Sequence, residues 1–176
     1  IGRFQEAIAS YKRAIQITPN YLDAHNNLGN IYKDLGLFNE AIESYEWAIS
    51  YGPSYTIAHM NLASIYSSYD LEKALQHYQK AISIEPNFPE AHYSLGTVYS
   101  SLGQKDESMK SYEKALEIKP DYAEAHNALS TIKKYIKNDP QIKQMKTLLK
   151  RPNLILSDKV SLNFALAKVS EDLGNH

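Results

Sequence analysis

Residues 22–53 read LDAHNNLGNIYKDLGLFNEAIESYEWAISYGP, and most of the chain repeats the plan of this stretch. Prolines recur 34, 33 and 34 residues apart, at Pro19, Pro53, Pro86 and Pro120. An aromatic residue and then an alanine–histidine pair follow each proline: Ala24-His25, Ala58-His59, Ala91-His92 and Ala125-His126. A period of this length is typical of a solenoid of helix pairs, in which each unit packs only on its neighbours.

The positions between the prolines predict two helices in each unit. In residues 22–53 the small and apolar residues fall at helical spacing, first at Ala24, Leu28, Ile31 and Tyr32 and then at Ala41, Ile42, Tyr45, Ala48 and Ile49. Gly29, Ala63 and Gly96 are small where two helices are expected to cross closely. Gly36 and Gly103 are placed to end the first helix, where a positive φ is favoured.

A unit that reads Ala-His-x-x-Leu-Gly, then Tyr, Gly, Glu-Ala-Ile, Tyr, Ala and Pro resembles the tetratricopeptide repeat. The resemblance covers residues 1–135 and implies an all-α fold, a right-handed superhelical α-solenoid of antiparallel helix pairs. The predicted divisions are a half repeat at 1–19, full repeats at 22–53, 56–86 and 89–120, and a half repeat at 123–135. The middle repeat lacks one residue and the glycine in Ser67-Ser68-Tyr69-Asp70, so we expect a tighter turn there.

Residues 139–176 lose the repeat pattern and predict two further helices, which form a cap or a junction to another domain. Asp139 is a candidate N-cap before Pro140, and Ser157-Asp158 is a candidate cap for the second helix. Segments 139–142, 164–168 and 171–174 are similar to the junction in bacterial sulfotransferases that carry tetratricopeptide arms.

Both ends of the chain are expected to expose apolar side chains. At the first half repeat these are Phe4, Ile8 and Tyr11, and in the tail we expect the helix of Phe164, Leu166 and Val169 to lack a partner. Such strips favour end-to-end association between copies. The alternative is that the tail folds back and closes the stack.

Composition and motifs argue against several functions. The formal net charge of −1 disfavours a sequence-independent grip on nucleic acid. No stretch approaches the roughly 18 apolar residues of a spanning helix, so we expect no membrane span and a cytoplasmic location. The chain has no cysteine, Gly-rich phosphate loop, Gly-x-Ser-x-Gly or His-Glu-x-x-His, so we expect no enzyme activity and no cofactor.

The regular histidines do not predict a metal site. Equivalent histidines on neighbouring helices are expected about 8–10 Å apart, whereas ligands of one zinc ion lie about 2 Å from it. We therefore interpret His25, His59, His92 and His126 as packing residues, and His77, which stands alone on a second helix, as a surface residue.

In the tetratricopeptide family the first helices line a concave groove that holds an extended peptide or a partner's helix. Transferred by position, the resemblance implies these groove residues here: Asn26, Asn27, Asn30, Lys33, Met60, Asn61, Ser64, Tyr93, Thr97 and Asn127. Amide and hydroxyl groups both donate and accept, so they suit the backbone of a peptide. We predict contacts through Asn27, Asn61 and Tyr93 in particular.

The function expected from this pattern is a non-catalytic scaffold that binds a protein or peptide. The alternative is an accessory arm of a larger enzyme, a sulfotransferase or a glycosyltransferase. Binders of chaperone tails use groove lysines, but Asn26 and Glu90 replace cations here. The arm of the O-linked N-acetylglucosamine transferase carries a ladder of asparagines, which Ser94 and Ala128 interrupt. A pentatricopeptide-type RNA binder would need a 35-residue period and basic groove positions.

Overall fold

The computed structural model describes residues 2–174, and this part of the chain is all-α, with ten helices and no strand. The helices are α1 (Gly2–Ile17), α2 (Leu22–Asp34), α3 (Phe38–Tyr51), α4 (Thr56–Tyr66), α5 (Leu71–Ile84), α6 (Pro89–Ser101), α7 (Lys105–Ile118), α8 (Ala123–Ile132), α9 (Pro140–Leu148) and α10 (Leu156–Asp172). They form two compact units, Ile1–Pro86 with α1 to α5 and Asn87–His176 with α6 to α10. The predicted all-α fold of helix pairs is confirmed.

The helix pairs cross where the sequence places small residues. A Cβ atom added to Gly29 on α2 would lie 2.6 Å from Cε1 of Tyr45 on α3, and one added to Gly96 on α6 would lie 2.7 Å from Cδ1 of Tyr112 on α7. Both tyrosine rings are buried. Ala63 is also fully buried, on α4. The ring of the second helix therefore lies directly on the small residue of the first.

Neighbouring helices of a pair run antiparallel. The end of α3 returns to the start of α2, because a Cβ atom on Gly52 would lie 2.5 Å from Cδ1 of Leu22. The turn between them uses Gly36 at φ 75°, and the corresponding turn after α6 uses Gly103 at φ 74°. Both glycines take the positive φ that the sequence predicts.

The expected tighter turn in the middle repeat is wrong. The connection after α4 has four residues, 67–70, whereas residues 35–37 suffice after α2. The missing residue is lost from the helix, since α4 has 11 residues and α2 has 13. Without a glycine at positive φ, α4 ends early, and the Asp70 side chain caps α5 by accepting a hydrogen bond from Lys73 N at 3.1 Å.

The two tail helices join α8 in one apolar cluster. Its buried members are Ala123, Tyr135, Met145, Leu148, Leu162, Ala165 and Val169. Helix α10 packs along α8 in the same direction, because Ile155 and Asp158 lie beside Tyr122 at their starts while Asp172 Oδ2 accepts a hydrogen bond from Tyr135 N at 3.1 Å near their ends. The expected exposure is therefore correct for Phe164, which is 64% exposed, and wrong for Leu166 and Val169, which pack in this cluster.

The caps of the tail agree with the sequence at one helix and differ at the other. Asp139 Oδ1 accepts a hydrogen bond from Gln141 N at 3.0 Å, with Pro140 in the first turn of α9, as predicted. Helix α10 begins at Leu156, before the predicted Ser157-Asp158 cap, and no side chain caps it. The extended backbone of Ile155 and packing on α8 set its start.

Candidate functional site

Seven of the predicted groove residues lie in the first unit, on α2 and α4. Asn27, Asn30 and Lys33 on α2 and Met60 and Asn61 on α4 are half-buried, and Ser64 is exposed. Asn26 is different, because only 4% of it is exposed. It supports this surface from beneath more than it offers a contact.

Hydrogen bonds hold the amides of this surface in place. Asn61 Nδ2 on α4 donates to Asn26 Oδ1 on α2 at 2.9 Å. Tyr45 OH on α3 donates to Asn30 Oδ1 at 2.8 Å. These bonds leave Asn61 Oδ1 and Asn30 Nδ2 open, and the Asn27 amide has no hydrogen-bond partner within residues 2–174. The fixed amides of Asn30 and Asn61 can therefore meet a peptide backbone without first losing side-chain freedom, and Asn27 offers both a donor and an acceptor.

The other three predicted residues lie in the second unit, on α6 and α8. The Tyr93 ring packs against the rings of Tyr112 and Tyr122, with centroids 5.7 and 5.1 Å away. Burial, and then the neighbouring Tyr112, raise the pKa of Tyr93. The exposed Thr97 hydroxyl donates to Tyr93 O at 3.2 Å and accepts a hydrogen bond from Tyr112 OH at 3.3 Å.

Asn127 on α8 faces the tail. It lines an open cavity of about 520 Å³ together with Thr131, Phe164 and Lys168. Helix α10 therefore borders the face of α8 on which the sequence places a groove residue.

Three of the repeat histidines, on α2, α4 and α8, fasten their helix to the proline that precedes it. His25 Nε2 lies 2.8 Å from the carbonyl oxygen of Pro19. The same distance is 3.1 Å from His59 Nε2 to Pro53 O and 3.0 Å from His126 Nε2 to Pro120 O. Since a carbonyl oxygen only accepts, Nε2–H is the donor. This bond satisfies a carbonyl after the end of the preceding helix, which gives the histidine a structural role.

His77 is not the isolated surface residue that the sequence suggests. Its Nδ1 lies 3.1 Å from Nδ1 of His59, and its ring stacks on Tyr66 at 5.8 Å. Burial lowers the pKa of both histidines. The sequence carries no signal for this pair, because the two residues lie on different helices and only the crossing of α4 and α5 brings them together.

Within residues 2–174, no three His, Asp or Glu side chains converge closely enough to hold a metal ion. None of the helices in that range is both long and apolar enough to cross a membrane.

Two family descriptions match the sequence. The family described as TPR repeat matches residues 1–36 and 70–103, and the family described as tetratricopeptide repeat matches residues 22–55 and 89–122. No curated protein has significant similarity to the chain.

Solved structures of similar fold cover most of the chain. MamA is 28% identical, with a TM-score of 0.70 over 97% of this chain and 91% of MamA. A thermophilic TPR protein of Thermus thermophilus is 26% identical, with a TM-score of 0.69 over 94% of this chain and 92% of that protein. The first TPR of Spaghetti (RPAP3), bound to the HSP90 peptide SRMEEVD, is 27% identical, with a TM-score of 0.61 over 63% of this chain and 89% of that one.

The recurring helix pairs, the small residues at their crossings and these matches lead to one conclusion. The chain is built from tetratricopeptide repeats and belongs to the family of tetratricopeptide-repeat proteins.

Proposed function

We propose that this chain is a non-catalytic interaction module that binds an extended peptide, or a segment of a partner protein, along its first helices. The observation that carries the proposal is the pair of amides at equivalent positions on α2 and α4. Asn27 is unpartnered within residues 2–174, and Asn61 is held by Asn26 with its oxygen open.

The chemistry of these amides suits a peptide backbone. An extended peptide presents N–H and C=O groups in alternation, and an asparagine amide can bond to either kind. Half-buried Met60 adds an apolar contact on the same helix as Asn61. The groove therefore recognises the backbone first and selects weakly among side chains.

A similar structure supports this use of the fold. The first TPR of Spaghetti is bound to a peptide, and its likeness to this chain covers 63% of the residues here. The peptide SRMEEVD is the ligand of Spaghetti only. A peptide that binds this chain has to be selected experimentally.

The test begins with a peptide selected from a displayed random library on the full chain. Replacing both Asn27 and Asn61 with alanine should weaken its binding by about 1–3 kcal/mol, since each net hydrogen bond contributes about 0.5–1.5 kcal/mol. Calorimetry measures the change. The Asn20→Ala/Asn39→Ala variant alters two exposed asparagines of the same unit and should bind as the parent does.

Two results would contradict the proposal. Equal affinity before and after removal of Asn27 and Asn61 would move the interaction to another face. Transfer of a sulfonate or glycosyl group by the purified chain would contradict its non-catalytic character, and we expect no such turnover.

A further inference from the structure

A second surface of the first unit contains none of the predicted groove residues. It is an open cavity of about 500 Å³ whose walls come from α1, α2 and α3. The lining residues that matter are Lys12, His25, Tyr32, Glu40, Glu43 and Trp47.

An exposed aromatic stack forms one wall of this cavity. Trp47 is 55% exposed, although it is a large apolar side chain. Its ring stacks on His25 at 6.4 Å with planes 26° apart, and on Tyr51 at 6.0 Å with planes 24° apart. The stack fixes the indole in one orientation and leaves part of its surface open to a ligand.

His25 contributes an acceptor to the same wall. The residue is only 6% exposed, and its Nε2–H donates to Pro19 O, so Nδ1 carries a lone pair. The corresponding Nδ1 atoms are occupied by His77 in the case of His59 and by Gln141 in the case of His126. Nδ1 of His25 has no hydrogen-bond partner within residues 2–174. An open acceptor on a largely buried ring favours a ligand that donates.

The carboxylates of the cavity also favour a ligand that donates hydrogen bonds. Glu40 and Glu43 are exposed, and neither forms an ion pair with any residue in the described part of the chain. Lys12 Nζ lies 6.0 Å above the Tyr32 ring, so one ring of the cavity already faces a cation of the chain itself. Beside Trp47, the two carboxylates have no paired cation and the imidazole nitrogen has no hydrogen-bond donor among the described residues.

We propose that this cavity binds an arginine side chain of a partner polypeptide. A guanidinium is planar, has five donors and no acceptor, and stacks on an indole face while it bonds to carboxylates. This matches the open indole, the unpaired Glu40 and Glu43, and the free acceptor of His25. The site is independent of the proposed groove, because the two share no residue.

The chain supplies its own reporter for this site, since Trp47 is its one tryptophan. The experiment titrates the full chain with acetyl-Gly-Ala-Arg-Ala-Gly-amide and follows Trp47 fluorescence. The matched peptide carries citrulline, which keeps the shape of arginine without its charge. We expect a saturable change with the arginine peptide, and binding at least about fivefold weaker with the citrulline peptide.

Substitutions on the surface of α3 test whether the arginine peptide binds at this cavity. Glu40→Gln/Glu43→Gln keeps the reporter and should weaken the arginine peptide by about five- to tenfold. Glu72→Gln/Glu107→Gln removes the same charge from exposed positions on other second helices and should leave the affinity unchanged. Asn27→Ala/Asn61→Ala should also leave it unchanged, which separates this site from the groove.

Several outcomes would overturn the proposal. They are no saturable response to the arginine peptide, an equal response to citrulline, or unchanged affinity in Glu40→Gln/Glu43→Gln. A lysine peptide that binds as tightly as the arginine peptide would contradict the assignment to arginine, because an ammonium lacks the planar fork.

Discussion

Gly29 and Gly36 are both required by the repeat, but for different physical reasons. At Gly29 the obstacle is space, because Tyr45 lies where a side chain would begin. At Gly36 nothing lies within 4 Å of an added Cβ atom, and the obstacle is the backbone at φ 75°. The third repeat has the same two kinds of glycine, at Gly96 and Gly103.

Replacing Gly29 or Gly96 with leucine should lower the free energy of unfolding by about 1–3 kcal/mol through overpacking. Thermal and denaturant melts measure the loss. Ala9→Leu enlarges an exposed position on α1 and serves as the control. Unchanged melts for both glycine variants would mean that the tyrosine rings do not lie on these residues.

Gly36→Ala should cost about 1–2 kcal/mol, because a Cβ atom disfavours the left-handed backbone region. Asparagine tolerates that region better than alanine, so Gly36→Asn should be the more stable of the two variants. Denaturant melts of both, and of the same pair at Gly103, check the order. Alanine variants as stable as the parent would show that these turns relax to a negative φ.

At the scale of elements, the bond from histidine to the proline carbonyl joins three of the first helices, α2, α4 and α8, to the end of the helix before them. His25 does so after α1, His59 after α3 and His126 after α7. Nε2–H donates in both the neutral and the protonated ring, so this bond survives protonation and by itself raises the pKa of His59 and His126. A pH response of these contacts must therefore come from the burial of the rings, which opposes their charged form.

Burial lowers the pKa of His59, His77 and His126 below the ordinary value of 6.5. At His59 the bond to Pro53 O partly offsets burial and Lys80 lowers the pKa further, and at His77 the neighbouring His59 and then Lys73 lower it further. At His126 the bond to Pro120 O, and then Asp121, partly offset the effect of burial. Below pH 6.5 the unfolded chain therefore takes up more protons than the folded chain. Stability is highest above this pH and falls as the pH drops through the folded pKa values.

We expect the melting temperature to decrease between about pH 7 and pH 5.5, a range above the ordinary titration of carboxylates. Proton NMR of the imidazole rings measures the three midpoints directly, and all should lie below 6.5. The His126→Gln variant should show a shallower pH dependence than the parent. Midpoints at or above 6.5 would contradict the assignment.

At the scale of the whole molecule, apolar side chains stay exposed at both chain ends. Leu156, Val160 and Phe164 recur every four residues on α10 and are 77%, 46% and 64% exposed. At the other end, Phe4 is 38% exposed, whereas Ile8 and Tyr11 are half-buried. Contiguous apolar faces of this kind promote association.

We expect the average mass of this chain in light scattering to rise with concentration. Val160→Glu/Phe164→Glu should abolish the rise, because it places charge on the exposed face of α10. Ser170→Glu adds charge at another exposed position of the same helix and should not. A chain that stays monomeric at high concentration would show that this face does not associate.

The sequence by itself determined the features that depend on near neighbours along the chain. Apolar spacing predicted the helix pairs, because the period of a helix decides which residues share a face. The glycines predicted the crossings and the turns, because each needs only one local property, small size or a positive φ. The choice of the first helices as the groove rests on the family pattern, and Asn27 and Asn61 occupy equivalent positions on two of them, α2 and α4.

The tertiary structure alone decided the features that depend on residues far apart in sequence. These include the burial of Asn26 beneath Asn61, the contact between His59 and His77, and the packing of α10 along α8. The open Nδ1 of His25 belongs with them, since its partner would have to come from another helix. A repeat pattern shows which face of a helix is buried, but the side chain that meets it across the interface depends on crossing distances of a few ångströms, which only the packed helices set.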